Sequence, residues 1–417
     1  MATQTLSNAD AILKDLYAGP LVEQMNQKTI LLDALEHDSD HIHFEGRRAI
    51  VPLHKSRNRG RRAISDGGTL AGAGTQGYLA ADITIRTNEY SIEVTDLANR
   101  ATQGTDGAFV NLLKAESQGA ADDMRKELNR QFFGLGNGVL AKAKSTSTGT
   151  TLEVAVESEL QYIFPGDIID VLVESTGATT NGVVGAEVTE IKVSESKIIL
   201  SKALSAELGG STYSIYLSGN RNQESDGLRN ITESSRTLHS INSSTAGNGF
   251  WNGQSVKAGA SASATAVAGD PLFMNLADKV SAAGNGDVEM FLTTYGVKRR
   301  LAESHAPAQR FNDTKAVELH GGATSVFVNE IPVISDPDCP KGYAFGINKS
   351  ALKIMEIGPP AWLEQNGQIL FLKNAGTGSN AATWQGYWVY YCALASIAPN
   401  RTGRVEFAQD DAPSSNG

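Results

Sequence analysis

The sequence predicts an α+β protein in which a small antiparallel β domain is inserted into a larger fold. Three observations carry that prediction. Apolar residues recur at three-to-four spacing from Phe109 to Phe132, the period of a helix and a length few helices reach. Residues 146–218 hold five short β-rich runs separated by turn signals. After two further helical patterns the chain ends in another series of β runs.

The chain has 417 residues, 41% of them hydrophobic and 20% charged. That supports two or three domains with real cores and excludes wholesale disorder. The 42 glycines predict many turns and irregular connections. A formal net charge of −10 argues against binding nucleic acid through overall charge, which needs a large basic footprint. Cys339 and Cys392 are the only cysteines. Without a CxxC pair a thiolate zinc site is not expected, and two free thiols in a reducing compartment are. The first residues, MATQTLSNADAILKDLYAGP, show no basic start followed by an apolar run, so no secretory signal is read there. The longest apolar run, Tyr387–Ala398, falls well short of the ~20 residues of a membrane helix. A soluble protein made in a cytoplasm, with no membrane partner, is expected.

Along the chain, residues 1–36 read as helical, with Leu21, Met25, Ile30, Leu31 and Leu35 at near-helical spacing. Residues 44–95 read as strands. RRAIVPLH comes first, then LAADITIRTNEYSIEVTD, in which Ile83 and Ile85, then Tyr90, Ile92 and Val94, alternate. Between these arms lies HKSRNRGRRAISDGGTLAGAGTQG, His54–Gly77, first basic and then glycine-rich. A long hairpin with a flexible tip is the expected form. Long loops of this kind are uncommon in a compact domain and usually reach out to touch something. The helix of residues 105–133 has Thr105 or Asp106 as its cap. Phe109, Leu113, Ala120, Met124, Leu128 and Phe132 form its stripe, and Gly134, Gly136 and Gly138 stop it. At 1.5 Å per residue it would be ~40 Å long.

The β runs of residues 146–218 are joined by turns such as FPGD and STGATTNG, the pattern of a small barrel or sandwich. Residues 219–269 are mostly loop and end in KAGASASATAVAG. DPLFMNLADKVSAAG restores the helical period, with Asp270 as cap and Pro271 in the first turn. VEMFLTT reads as a buried strand and YGVKRRLAES as a helix. TSVFVNEIPVIS, GYAFGIN, ALKIMEIG, QILFLKN and YWVYYCALASIA follow as strands, and the tail AQDDAPSSNG should be mobile.

No motif argues for an enzyme. GLGNG at Gly134–Gly138 follows a helix, whereas a dinucleotide loop follows a strand and opens a helix. HDSDHIHFE gathers His37, Asp38, Asp40, His41, His43 and Glu45, residue types that bind transition metals. Only His41 and His43 would share a strand face, so a polar connector is the expected role. His54, His239, His305 and His320 sit in no nucleophile elbow. No catalytic residue, cofactor or metal is expected.

The basic cluster is what the acidic composition leaves unexplained. Arg47, Arg48, Lys55, Arg57, Arg59, Arg61 and Arg62 occur with no acid between Arg47 and Arg62. Three roles compete: an arm that neutralises phosphates, an arm that pairs with acidic surfaces on another protein or subunit, and a solvated hairpin. The acid excess elsewhere in the chain favours the second.

Several stretches are similar to one known family. They are NEYSIEVTDLANRATQG leading into the long helix, FPGDIIDVLVESTG in the inserted domain, DGLRNITESSRTLHSINSSTAGNGFWNG after it and VEMFLTTYGVKRRLAES later. Together with the order of elements, they make almost the whole chain resemble the major capsid proteins of tailed double-stranded DNA bacteriophages, the HK97 fold. The resemblance implies an N-terminal arm (1–43), an extended loop (44–88) and a peripheral domain with the spine helix (89–139). It implies the start of an axial domain (140–145), an inserted β domain (146–218) and the rest of the axial domain (219–350). A return to the peripheral domain (351–400) and a C-terminal tail (401–417) complete it.

The same resemblance implies self-assembly as hexamers and pentamers into an icosahedral head shell. That shell would hold packaged double-stranded DNA, bound without sequence specificity. A scaffolding protein, a portal and a decoration protein would be partners. Assembly would take place in the bacterial host cytoplasm, and the product would reside in the virion. The seven basic residues would be intersubunit contacts of the extended loop. Some members crosslink a loop Lys to an Asn; Lys55, the only Lys in this loop, sits among arginines, and no crosslink is carried over. Removal of an N-terminal segment is not expected. The other reading of the same residues is a β-rich phage tail or surface-binding structural protein with the inserted β domain as its binding module.

Overall fold

Ala120, Met124, Leu128 and Phe132 repeat every four residues and are all buried along the helix Leu112–Phe133. This element lies in a computed structural model that describes residues 29–38, 48–97, 112–210, 212–284, 286–309, 326–364, 368–374 and 380–411. Phe109 and the expected cap at Thr105 or Asp106 fall outside the described residues. The described residues divide into two units. The smaller includes Glu89–Met124 and Trp362–Trp388; the larger includes Lys28–Asn88, Arg125–Ala361 and the chain from Val389.

In the smaller unit, Phe371–Asn374 pairs antiparallel with the N-terminal half of the long strand Asn380–Ser396. Ile92 and Val94 are buried while Glu93 between them is exposed, the alternation read from the sequence. Trp362 and Trp388 meet edge to face at 5.0 Å, and Trp384 Nε1 donates to Asp96 at 3.1 Å.

The larger unit holds two six-stranded sheets built only from its own residues. One is antiparallel throughout, in spatial order Val139–Ala143, Tyr213–Leu217, Ile168–Val173, Val183–Lys192, Lys197–Leu200, Thr151–Glu153. Its two end strands meet through a bridge between Ala143 and Val154, so the sheet closes into a small barrel. Lys144 N–H donates to Glu153 O at 2.8 Å and Ala155 N–H to Lys142 O at 2.7 Å across that seam. Leu152, Leu160, Ile163, Ile169, Val171 and Ile215 fill it. The barrel starts at Val139, ahead of the boundary expected at residue 146. Residues 140–143 of the expected axial start thus pair within this barrel. Turn glycines there gave no sign that VLAKA would pair with a strand 70 residues later.

The other sheet is mixed, in order Gln254–Lys257, Gly403–Glu406, Ala344–Ile347, Met290–Thr293, Ile331–Ser335, Val326–Val328. The helix Asp270–Gly284 contributes Phe273, Leu276 and Val280 to its core, and the helix Tyr295–Gln309 contributes Val297 and Leu301. Among the described residues no helix is long and apolar enough to cross a membrane.

Near the N-terminus the helical reading holds for Ile30–Ala34, but Leu35 is extended and Glu36–Asp38 is a strand parallel to Leu352–Glu356. A run of three residues has no periodicity to announce it. A buried polar junction fixes the short helix. Asp336 Oδ2 accepts Leu31 N–H at 3.1 Å, and Asn129 Oδ1 accepts Leu32 N–H at 3.2 Å. Asn129 Nδ2 donates to Asp338 at 2.6 Å, and Lys126 pairs with Asp338 at 2.7 Å. The barrel joins the same junction: Tyr162 donates to Asp338 O at 3.1 Å. Burial and the neighbouring Asp338 push the Asp336 carboxyl up to about 6.

Candidate subunit interface

Arg48–Ser56 and Gly77–Thr84 pair antiparallel from Arg48 opposite Thr84 to Ser56 opposite Gly77, forming a two-stranded sheet of their own. Alternation sorts their side chains onto two faces. Ala49, Val51, Leu53, Ala81 and Ile83 lie on one. There Ala49 and Ile83 are buried against Met355, Ala393 and Ala395 of the larger unit. Ile50, Pro52, His54, Tyr78 and Ala80 lie on the other face. It stands open, with Ile50 65% and Tyr78 71% exposed. His54 and Tyr78, opposite each other in register, bring their rings to 5.7 Å.

The ladder slips between His54 and Ser56, leaving Lys55 as the extra residue of a bulge. Lys55 Cε lies near Gly247 of the same unit. Beyond the bulge, residues 56–70 are exposed without exception, and Leu70 is 79% exposed.

The tip is nonetheless organised. Asn58 Nδ2 donates to Gly74 O at 2.8 Å, and Gly60 N–H to Asn58 Oδ1 at 2.7 Å. A Cβ on Gly60 would stand 2.7 Å from Gly72 O, so the arms approach this closely because residue 60 has no side chain. Arg62 donates to Thr69 O and Leu70 O. Ser65–Gly68 closes a turn with Gly68 N–H on Ser65 O at 2.9 Å.

The structure brings five of the seven expected contact residues onto this projection: Lys55, Arg57, Arg59, Arg61 and Arg62. Arg48 opens the first strand, and Arg47 lies outside the described residues, as do Asp40, His41, His43 and Glu45. Among the described residues, ion pairs form elsewhere in the chain and none includes the five hairpin cations. The hairpin therefore offers an outward apolar face and a run of cations with no ion-pair partner among the described residues, a surface suited to another protein's acidic and apolar groups. Sequence reasoning found the cations but not the open apolar face, whose signal is the alternation of Ile50, Pro52 and His54.

In chain order, the extended hairpin, the long helix, the closed barrel and the mixed sheet make up the HK97 fold. The capsid of cyanophage A-1(L) matches it at TM-score 0.57 and 12% identity, over 97% of this chain and 99% of that one. The capsid of a native GTA particle matches at 0.51 and 11%, over 98% and 100%. The holo-SrpI encapsulin complex from Synechococcus elongatus PCC 7942 matches at 0.50 and 9%, over 99% and 98%. At such identities the likeness shows the fold alone. No protein-family model and no curated protein matches the chain.

Proposed function

We propose that this chain is the major capsid protein of a tailed double-stranded DNA phage, a structural rather than catalytic protein. Copies assemble as hexamers and pentamers into an icosahedral head shell, and the extended hairpin of one copy lies across a neighbour. End-to-end likeness to the cyanophage capsid carries this reading, since 97% of this chain and 99% of that one take part. The hairpin supports it. Its exposed apolar face and its cations with no ion-pair partner among the described residues make sense once a second copy covers them. A scaffolding protein would guide assembly, and a portal and a decoration protein would bind the shell. The DNA inside would be held without sequence-specific contacts, because a genome pumped into a closed shell needs no adhesive wall. Assembly would occur in the bacterial host cytoplasm.

The test is particle formation. Purified chain, made with and without a scaffolding protein, should give shells or capsomers under negative stain. A well-behaved monomer under all conditions would sink the proposal and favour the β-rich tail or surface-binding reading.

A further inference from the structure

His239 and Ser240 form the two-residue turn between the short strands Thr237–Leu238 and Ile241–Asn242. Both are left-handed, at φ 50° and 64°. Turns of this kind ordinarily carry Asn and Gly, which adopt positive φ at little cost. Here neither is present, so the surroundings hold the turn against its own preference. His239 is the centre of those surroundings. Its carbonyl accepts the N–H of Asp82, on the second arm of the extended hairpin, at 3.0 Å. Its Nε2 accepts the N–H of Ser396, the last residue of the strand Asn380–Ser396, at 3.2 Å. The ring is buried, edge to face with Trp251 at 6.4 Å, and Nδ1 lies 4.0 Å from Asp226 Oδ2. One residue thus ties the hairpin root to the sheet from which it rises.

We propose that His239 is a positioning residue for the hairpin: its neutral imidazole locks the turn that holds Asp82, and gaining a proton frees the hairpin root. Nε2 accepts the Ser396 N–H through its lone pair, and a protonated ring would set two N–H groups against each other. The charges acting on the ring are Asp226 and Arg236; Arg86 acts on Asp226, Glu233 and Arg404 act on Arg236, and Asp82 meets His239 through its backbone N–H. The C-terminal strand presents uncharged Ser396. Asp226 favours the imidazolium, but burial raises its own carboxyl and outweighs the Asn230 Nδ2 bond at 2.6 Å that works the other way. Arg236, held by Trp251 O at 2.8 Å and Ile231 O at 2.6 Å, opposes a second positive charge. Burial first and Arg236 second push the imidazole down to about 4. The folded value lies below the ordinary one of 6.5. The lock is therefore complete above about pH 6.5 and weakens as pH falls toward 4. With an ordinary value in the freed ring, the opening equilibrium rises about 10-fold from pH 7.5 to 5.5 and roughly 70-fold by pH 4.5.

The lock belongs to the single chain, so failure of the shell reading would leave it standing. Hydrogen exchange on the full chain, corrected for the intrinsic rate at each pH, reads it on peptides around Asp82 and Ser396. In the wild type, protection of both should fall together, about 10-fold between pH 7.5 and 5.5. His239→Asn keeps a residue that tolerates positive φ and removes the titrating acceptor. Its protection should be low already at pH 7.5 and should no longer change with pH. Ser240→Gly relaxes the turn and leaves the ring alone, so the wild-type pH dependence should persist. Wild-type protection that ignores pH, loss at one peptide without the other, or the same pH dependence in His239→Asn overturns the proposal. If His239→Asn does not fold, the wild-type pH series alone decides.

Discussion

In the inserted barrel the end strands meet across Ala143 and Val154, and its apolar side chains face one another. In the extended hairpin two strands stand as a sheet of their own, with one face on the body and the other open. Both are antiparallel β structures of one chain. The barrel closes its strand ladder and fills its apolar core from its own residues, whereas the hairpin beyond Lys55 makes contacts only within its own loop. The contrast separates two properties that mutations usually mix. Changes in the barrel should act on the stability of the subunit, and changes in the hairpin tip on what the subunit joins.

The largest effect should come from the barrel. Ile215→Ala empties a fully buried position between two paired strands and should cost about 2–5 kcal/mol in urea unfolding. Capsomer formation by the fraction that remains folded should be unchanged. A fall in assembly at constant folded concentration would break the contrast.

The next effect is one of pH, and it has opposite signs at the two regions. The Asp336 carboxyl lies at the barrel's junction with the body, through Tyr162 and Asp338, and stands at about 6 against an ordinary 3.8. Its charged form is the disfavoured one when folded. Its contribution to stability therefore grows as pH falls through 6 toward 3.8. Relative to Asp336→Asn, the wild type should gain about 2 kcal/mol between pH 7 and 4.5 in denaturant midpoints. His239, at the hairpin root, changes the other way over an overlapping range. A wild-type-to-variant gap that narrows toward acid would show the Asp336 assignment to be wrong.

An intermediate test lies on the hairpin's open face. Tyr78→Ala removes a ring that is 71% exposed and touches chiefly His54. Subunit stability should change by under ~1 kcal/mol. Capsomer yield should fall several-fold in sedimentation. Unchanged yield would mean the open face stays open after assembly.

Much of this was legible in the residues. The stripe Ala120–Met124–Leu128–Phe132, the β runs of the insertion and the two hairpin arms all follow from period and turn chemistry, which are local. What was not legible is pairing at a distance. Nothing near Val139–Ala143 says that its neighbour is Tyr213–Leu217, and nothing in Glu36–Asp38 names Leu352–Glu356. The bulge at Lys55 depends on a ladder register that no single strand encodes. His239 looked like one more histidine without an elbow. Its meaning comes from Asp82 and Ser396, 157 residues away in each direction: backbone groups that carry no sequence signature of their role. The basic cluster was visible, but its lack of acidic partners within the described chain needed the fold.

The smallest effect on the subunit, and the most telling for the tip, should come from charge reversal. Arg57, Arg59 and Arg61 are exposed and make no ion pair among the described residues, so Arg57→Glu with Arg59→Glu and Arg61→Glu removes nothing that holds the subunit together. Unfolding should shift by less than ~0.5 kcal/mol. If the arginines meet acids on a neighbour, each pair is worth up to ~1 kcal/mol at an exposed site and is screened by salt. Wild-type assembly at an immature stage should then weaken between low salt and ~1 M, where the Debye length drops to ~3 Å. The triple variant should assemble poorly at low salt and improve as salt rises, because screening now relieves repulsion. A variant that assembles like the wild type at every ionic strength would leave the apolar face as the hairpin's only means of contact.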